Sequence, residues 1–206
     1  MGAADDPAAD DRAARRVASF GGPATGYLAR RGRRHYLVPE TPAAKAPVNE
    51  EAKKTVLRHF PYGLYAVTVM SEGEDHGMTA NWVMQAAFTP PMLVVALQNE
   101  SKSLPMIRDA RGFAVNVLAE GQRELAEQLG RSSRRQPAKL QGVPSRPAPV
   151  TGAPILSEGL GWLECRLVAT MPAGDHTLVL GEVVEAGLEA GRRVLALDDA
   201  GMKYAG

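Results

Sequence analysis

The chain has 206 residues, with 24 Lys and Arg against 23 Asp and Glu for a net charge of +1, which suits one domain plus an appendage and a sizeable core. That balance leaves nothing to draw the whole chain to nucleic acid or to a membrane surface. One cysteine excludes an intrachain disulfide and fits a reducing compartment, and no run reaches the ~18 apolar residues of a membrane span.

Residues 1–50 are rich in Ala, Pro, Gly and Arg and keep no apolar period. Such a segment buries too little to offset the entropy of ordering it, so a disordered or loosely docked extension is expected. Its one feature is YLARRGRRHYLVPE (Tyr27–Glu40), with four Arg and His35 among aromatic and aliphatic residues. It reads either as a strap for an anionic partner or neighbouring subunit, or as a solvated arm. Arg15-Arg16 and Arg30-Arg31 are not followed by the apolar stretch of a secretion signal, so a cytoplasmic protein is expected.

From Asn49 the pattern changes. NEEAKKTVLRHF has an Asn N-cap and two acids in its first turn, and predicts a helix that stops at Pro61. LYAVTVM (Leu64–Met70) predicts a strand, and the polar SEGEDHG (Ser71–Gly77) a turn that makes a hairpin. HGMTANWVMQAAFTPP (76–91) is unlike its surroundings, because it places Thr79, Ala80 and Asn81 where a core strand would carry Val or Ile. MLVVAL (Met92–Leu97) reads as a buried strand. Ser103 is placed to cap a short helix, LPMIRDA, with Pro105 in its first turn.

FAVNVL (Phe113–Leu118) is a further strand, and EGQRELAEQLG (Glu120–Gly130) a helix closed by glycine. Residues 131–150 form a long basic loop. WLECRLVATM (Trp162–Met171) alternates, with Leu163, Cys165, Leu167 and Ala169 on one face, so Cys165 is expected to be an inert core residue. His176–Leu188 and Arg192–Asp198 complete six or seven strands. Short helices between them and no long βαβ spacing predict a mainly β, antiparallel barrel.

The sharp motifs are absent. GGPATG at 21–26 has Pro at the second glycine of a dinucleotide loop, and there is no phosphate-loop lysine and no GxSxG. The histidines at 35, 59, 76 and 176 have no metal-ligand spacing, so no metal is expected.

An ordered set of segments remains: FPYGLYAVTV, HGMTANWVMQAAFTPPMLVVAL, NESKSLPMIRDARGFAVNVL, GAPIL, WLECRLVATMPAGDHTLVLGEV and VLALDDAGMKYAG. Together they resemble the flavin reductase-like family, over roughly residues 53–206, with residues 51–206 as the globular domain. The resemblance implies an FMN-binding split β-barrel, antiparallel and Greek-key-like, with short flanking helices. It also implies an enzyme that passes hydride from NAD(P)H to FMN, with FAD as the alternative flavin, and then to free flavin or to a partner such as an oxygenase, and a homodimer with flavin near its interface. A non-enzymatic FMN-binding electron carrier without its own NAD(P)H site is the rival.

The resemblance also implies site residues. A flavin ring is flat and polar along one edge, and Thr79, Ala80 and Asn81 would run beside it, with Trp82 the best candidate for a neighbouring ring. By themselves these residues fit a polar edge strand equally well. The loop Asn99–Ser103 would hold the flavin phosphate through Ser101, Lys102, Ser103 and the helix N-terminus that Ser103 heads. Asp175 and His176 would lie at the mouth of the site, with His176 the catalytic-site residue that positions nicotinamide, since direct hydride transfer needs no protein base.

One departure concerns the long loop. Family members carry Asp-Lys-Phe there, its ring covering flavin or dinucleotide, whereas this chain has Lys139 followed by Leu140. Leu cannot stack, which favours the carrier slightly. Arg131, Arg134 and Arg135 either meet a dinucleotide phosphate or form a solvated basic loop.

Overall fold

The structure is a computed structural model that describes residues 47–189 and 193–204. Pro47–Gly206 forms one unit. The expected extension up to residue 46, with its strap at 27–40, lies outside the described residues.

Helix α1 (Glu50–Arg58) begins as its sequence dictates. The Asn49 side-chain oxygen accepts the Ala52 N–H at 3.0 Å, acids fill the first turn and Arg58 the last. None of its residues is buried, so capping and end charges hold it more than packing does.

The protein is mainly β. Strands β1 (Tyr65–Ser71), β2 (Glu74–Ala80), β3 (Val83–Ala87), β4 (Met92–Gln98), β5 (Gly112–Val117), β8 (Gly161–Ala173) and β9 (His176–Leu188) form one antiparallel sheet. Its order is β2-β1-β5-β8-β9-β4-β3, and β6 (Ser145–Pro147) pairs with β7 (Pro154–Leu156) in a small ribbon. The β1–β2 turn is tighter than its polar sequence predicts. Pairing runs out to Ser71↔Glu74, and Glu72-Gly73 turns at φ 53° and 80°, as a two-residue hairpin requires.

Strand β1 is apolar without alternation because both of its faces are covered. Val67 and Val69 enter the main core with Leu97, Ile107, Phe113 and Val179, while Ala66 enters a second cluster with Leu118, Ala126 and Leu129. Helix α2 (Ser103–Ala110) delivers Leu104, Met106 and Ile107 to the first core, and α3 (Arg123–Gly130) delivers Ala126 and Leu129 to the second. Cys165 is fully buried in the main core. Burial, with Glu164 beside it, pushes its thiol up to about 12, which leaves it inert.

Three elements depart from expectation. Helix α3 starts at Arg123, and Gly130 is its last residue, followed by an extended Arg131. A left-handed glycine is unnecessary because the Lys139 Nζ donates to the Leu129 and Arg131 carbonyls at 2.8 and 3.0 Å. Of the expected strand at Arg192–Asp198, the described residues 193–198 make isolated bridges, Ala119↔Val194 and Gly63↔Ala196. Buried Leu195 and Leu197 draw it across the ends of β1 and β5 instead. Part of the basic loop is strand β6, and Lys139 within that loop is buried.

Candidate functional site

The sheet order begins with β2 and ends with β3, yet only Asn81 and Trp82 separate these strands in the chain. Three peptide links span at most about 11 Å. The sheet must therefore curl until its two edges approach each other at Asn81-Trp82, where Trp82 O accepts the Ala96 N–H at 3.0 Å. An edge strand keeps unpaired N–H and C=O groups along its free side. There a cleft of about 300 Å³ opens, lined by Met78, Thr79, Ala80 and Asn81 of the first edge, Ala96 and Gln98 of β4, and Met202, Lys203 and Tyr204 of the tail.

The polar side chains of this segment have partners within the protein. The Thr79 hydroxyl donates to Ala126 O at 2.6 Å, which ties β2 to α3. Asn81 Nδ2 donates to Tyr204 O at 3.1 Å. What the strand offers a ligand is its free backbone edge and the small side chain of Ala80.

The turn between β8 and β9 brings Asp175 and His176 to the same place. Asn99 braces that turn: its N–H donates to Asp175 O at 3.0 Å, its Nδ2 to Gly174 O at 3.0 Å, and its Oδ1 accepts from the Thr177 hydroxyl at 2.8 Å. Asn99, expected in the phosphate loop, is thus engaged with the β8–β9 turn.

His176 is buried between Asp175 and Tyr204. Its Nδ1 lies 2.7 Å from Asp175 Oδ1 and its Nε2 2.9 Å from the Tyr204 hydroxyl, which also accepts from Gln98 Nε2 at 2.9 Å. A carboxylate only accepts, so Nδ1 carries a proton toward Asp175. The His176 hydrogen bond holds the Asp175 carboxyl below its usual range, and burial raises the Tyr204 hydroxyl, keeping it protonated. The Trp82 ring lies 4.7 Å from His176 and 5.3 Å, edge-on, from Tyr204.

The second half of the site is the loop into α2. Ser101 and Ser103 have buried hydroxyls with no hydrogen-bond partner. Lys102, between them, pairs with Glu74 at the start of β2. Ser103 is the first residue of α2, with Lys102 at the N-cap and no side-chain cap bond, so its hydroxyl is not spent on capping as its sequence suggests. On β2, His76 is buried with Nδ1 unpartnered, and burial, helped by Lys139 and Lys102, lowers its pKa to about 4.

The flavin reductase like domain model matches residues 57–205. The chain belongs to the flavin reductase-like family. The reductase component of 4-hydroxyphenylacetate 3-monooxygenase from Thermus thermophilus is 33% identical to it over 68% of this chain and 85% of that one. A flavin reductase (NADH) of Kitasatospora aureofaciens is 30% identical over 65% of this chain and 69% of its own length. Among solved structures, BorF, the flavin reductase component of a bacterial two-component tryptophan halogenase, superposes with a TM-score of 0.66 at 26% identity, covering 75% of this chain and 96% of that one. The Streptomyces globisporus NADH:FAD oxidoreductase SgcE6, in complex with NAD and FAD fragments, gives 0.64 at 27% identity, with coverage of 71% and 86%.

For a flavin reductase-like chain, these residues fit a flavin. Two orphaned buried hydroxyls at a helix N-terminus, with an ammonium beside them, have the donor set that a phosphate satisfies. The edge of β2 and the ring cluster suit a flat heterocycle that is polar along one side. Leu140, where the resemblance led to the expectation of a covering aromatic, is turned toward the protein interior. It packs in the second core cluster, 3.0 Å from where a Cβ on Gly77 would stand. Arg131, Arg134 and Arg135 are exposed. The sequence reading missed Tyr204 and Gln98; its only cue for the first was a lone aromatic in a short polar tail, MKYAG.

Proposed function

We propose that this chain is an NAD(P)H-dependent flavin reductase that holds FMN or FAD at the joint between β2 and β3. The observation that carries this reading is the pair of buried, unpartnered hydroxyls of Ser101 and Ser103 beside Lys102, on the same molecule as a cleft at a sheet edge that Tyr204 borders. When bound, the flavin takes up hydride from NAD(P)H and delivers electrons to free flavin or to a partner protein. Ser101, Lys102, Ser103 and the first amides of α2 bind the phosphate. The free edge of β2 over Thr79–Asn81 meets the polar side of the ring. Asn99 and Asp175 fix the turn that carries His176, which orients the nicotinamide. Trp82 and Tyr204 keep water from the reacting faces. Relatives named as reductase components of monooxygenases and of a halogenase support a partner oxygenase as the consumer of reduced flavin.

In the same reading the curled sheet is a split barrel, and two copies pair in the cytoplasm. Met84, Phe88 and Met171 are exposed apolar residues at β3 and β8, an apolar area of the kind a second copy covers. A single experiment tests the activity. The purified chain is mixed with FMN, and the flavin absorbance is followed as NADH or NADPH is added without oxygen. Bleaching by either supports the reductase. The retracted Leu140 favours one rival, a non-enzymatic FMN-binding electron carrier. Flavin that resists both nucleotides but bleaches with dithionite would replace the reductase with that carrier.

A further inference from the structure

In the long loop, Leu140 packs against the second core cluster beside Gly77. A flavin ring lying on the edge of β2 would therefore have no cover from that side. The C-terminal tail supplies one. Met202, Lys203 and Tyr204 line the same cleft as Met78–Asn81, so the open space lies between the edge strand and the tail.

We propose that Tyr204 is the residue that covers the flavin ring, and that Met202–Tyr204 is a strap under which the ring lies. The inference rests on the flavin-binding reading of this cleft. Tyr204 belongs to no strand or helix, and named side chains hold it in place. Asn81 Nδ2 donates to its carbonyl at 3.1 Å, Gln98 Nε2 donates to its hydroxyl at 2.9 Å, and that hydroxyl is hydrogen-bonded to His176 Nε2 at 2.9 Å. Its ring meets Trp82 edge-on at 5.3 Å. Held by its carbonyl at one end and its hydroxyl at the other, the tyrosine is set in one orientation. Its partners come from three segments, the β2–β3 joint, the end of β4 and the β8–β9 turn, and two of them, Asn81 and Gln98, line the cleft with it. A residue serving only to anchor the tail would have no need to bond to all three. The strap is anchored at Met202, whose N–H donates to Leu197 O at 3.2 Å and whose side chain packs on the second core cluster, while Tyr204 at its far end is held by side-chain hydrogen bonds and no sheet ladder. That suits a cover which must lift each time flavin enters or leaves.

The test uses a property of the phenol. In contact with an excited flavin, a tyrosine or tryptophan gives up an electron and takes it back, which shortens the fluorescence lifetime; phenylalanine does not. With FMN bound to the full chain, lifetimes are compared for Trp82→Phe and for Trp82→Phe with Tyr204→Phe. A several-fold longer lifetime in the double variant is expected. Equal lifetimes would overturn the proposal. Tyr204→Ala in an otherwise unaltered chain gives a second readout that does not depend on Trp82. FMN release, followed by stopped flow, is expected to quicken by about ten-fold, and an unchanged rate would overturn the proposal. If the unaltered chain takes up no FMN at all, the flavin reading itself fails, and with it the basis of the strap.

Discussion

A buried hydroxyl without a partner costs stability, about 1–3 kcal/mol, unless something else meets it. Ser101 and Ser103 are two such groups two residues apart, flanking a lysine. Their cost is offset if an anion fills the place. Ser103→Asp puts a negative charge there, and FMN affinity measured by fluorescence quenching should fall by about a hundred-fold or more, on the order of 3 kcal/mol. Riboflavin, which lacks the phosphate, should lose much less; equal losses would remove this loop from the phosphate site. His76 carries a pH prediction. It is folded in as the neutral imidazole, with its pKa lowered to about 4 from 6.5. Its favourable contribution is therefore complete above pH 6.5 and is lost as pH falls toward 4, because the unfolded chain binds a proton that the native one refuses. The slope is at most ~1.4 kcal/mol per pH unit. Between pH 7 and 5, urea denaturation should show the protein losing about 1–2 kcal/mol more than its His76→Gln variant; equal losses would contradict the assignment. At this scale the sequence was only partly legible. Residues within a segment, such as Asp175 and His176, are found together by adjacency. The attachment of Asn99 to Gly174 and of Asn81 to Tyr204 depends on turns that meet only after folding.

At the scale of elements, α3 shows how a helix end can be finished from a distance. Its last carbonyls are closed by Lys139, whose ammonium burial lowers its pKa to about 8. Lys139→Met keeps the length of the side chain and removes the donors. We expect a loss of about 1–3 kcal/mol in urea denaturation, because the Leu129 and Arg131 carbonyls lose their partner. A change below ~0.5 kcal/mol would mean that water replaces the ammonium without cost. The same residue explains a limit of the sequence reading. Lys139 stands in a basic, proline-bearing loop that reads as solvated, and charge patterning alone gives no sign that one lysine of that loop turns inward. Strands were more legible. β1, β4, β5, β8 and β9 fall where apolar and β-branched runs place them, while the run at Arg192–Asp198 has the composition of a strand but is drawn off the sheet by Leu195 and Leu197.

At the scale of the molecule, the exposed Phe88 and Met84 stand at one edge of the sheet. If a second copy covers them, Phe88→Asp together with Met84→Lys should shift the chain from dimer to monomer by light scattering after gel filtration, while α1 and the core are untouched. A dimer that persists would place the interface elsewhere. Mainly β, antiparallel architecture was readable from strand lengths and short connections. A barrel was expected from the same signals, but that β2 and β3 are the edges that meet was not legible, since it follows from the order of the strands in the sheet, to which no local pattern testifies.

That curl has a consequence for how the protein is made. The cleft draws on Leu64, Thr79, Gln98 and Gly130, and it also needs Leu197 and Tyr204. A ribosome delivers these in order, so a chain halted anywhere before residue 197 lacks one wall of the pocket, however well its early strands have paired. Flavin captured during synthesis would then favour finished chains over truncated ones, because a ligand adds stability only to the form that can hold it. In a cell that is turning over incomplete products, the cofactor would act as a test of completeness before it takes part in any reaction.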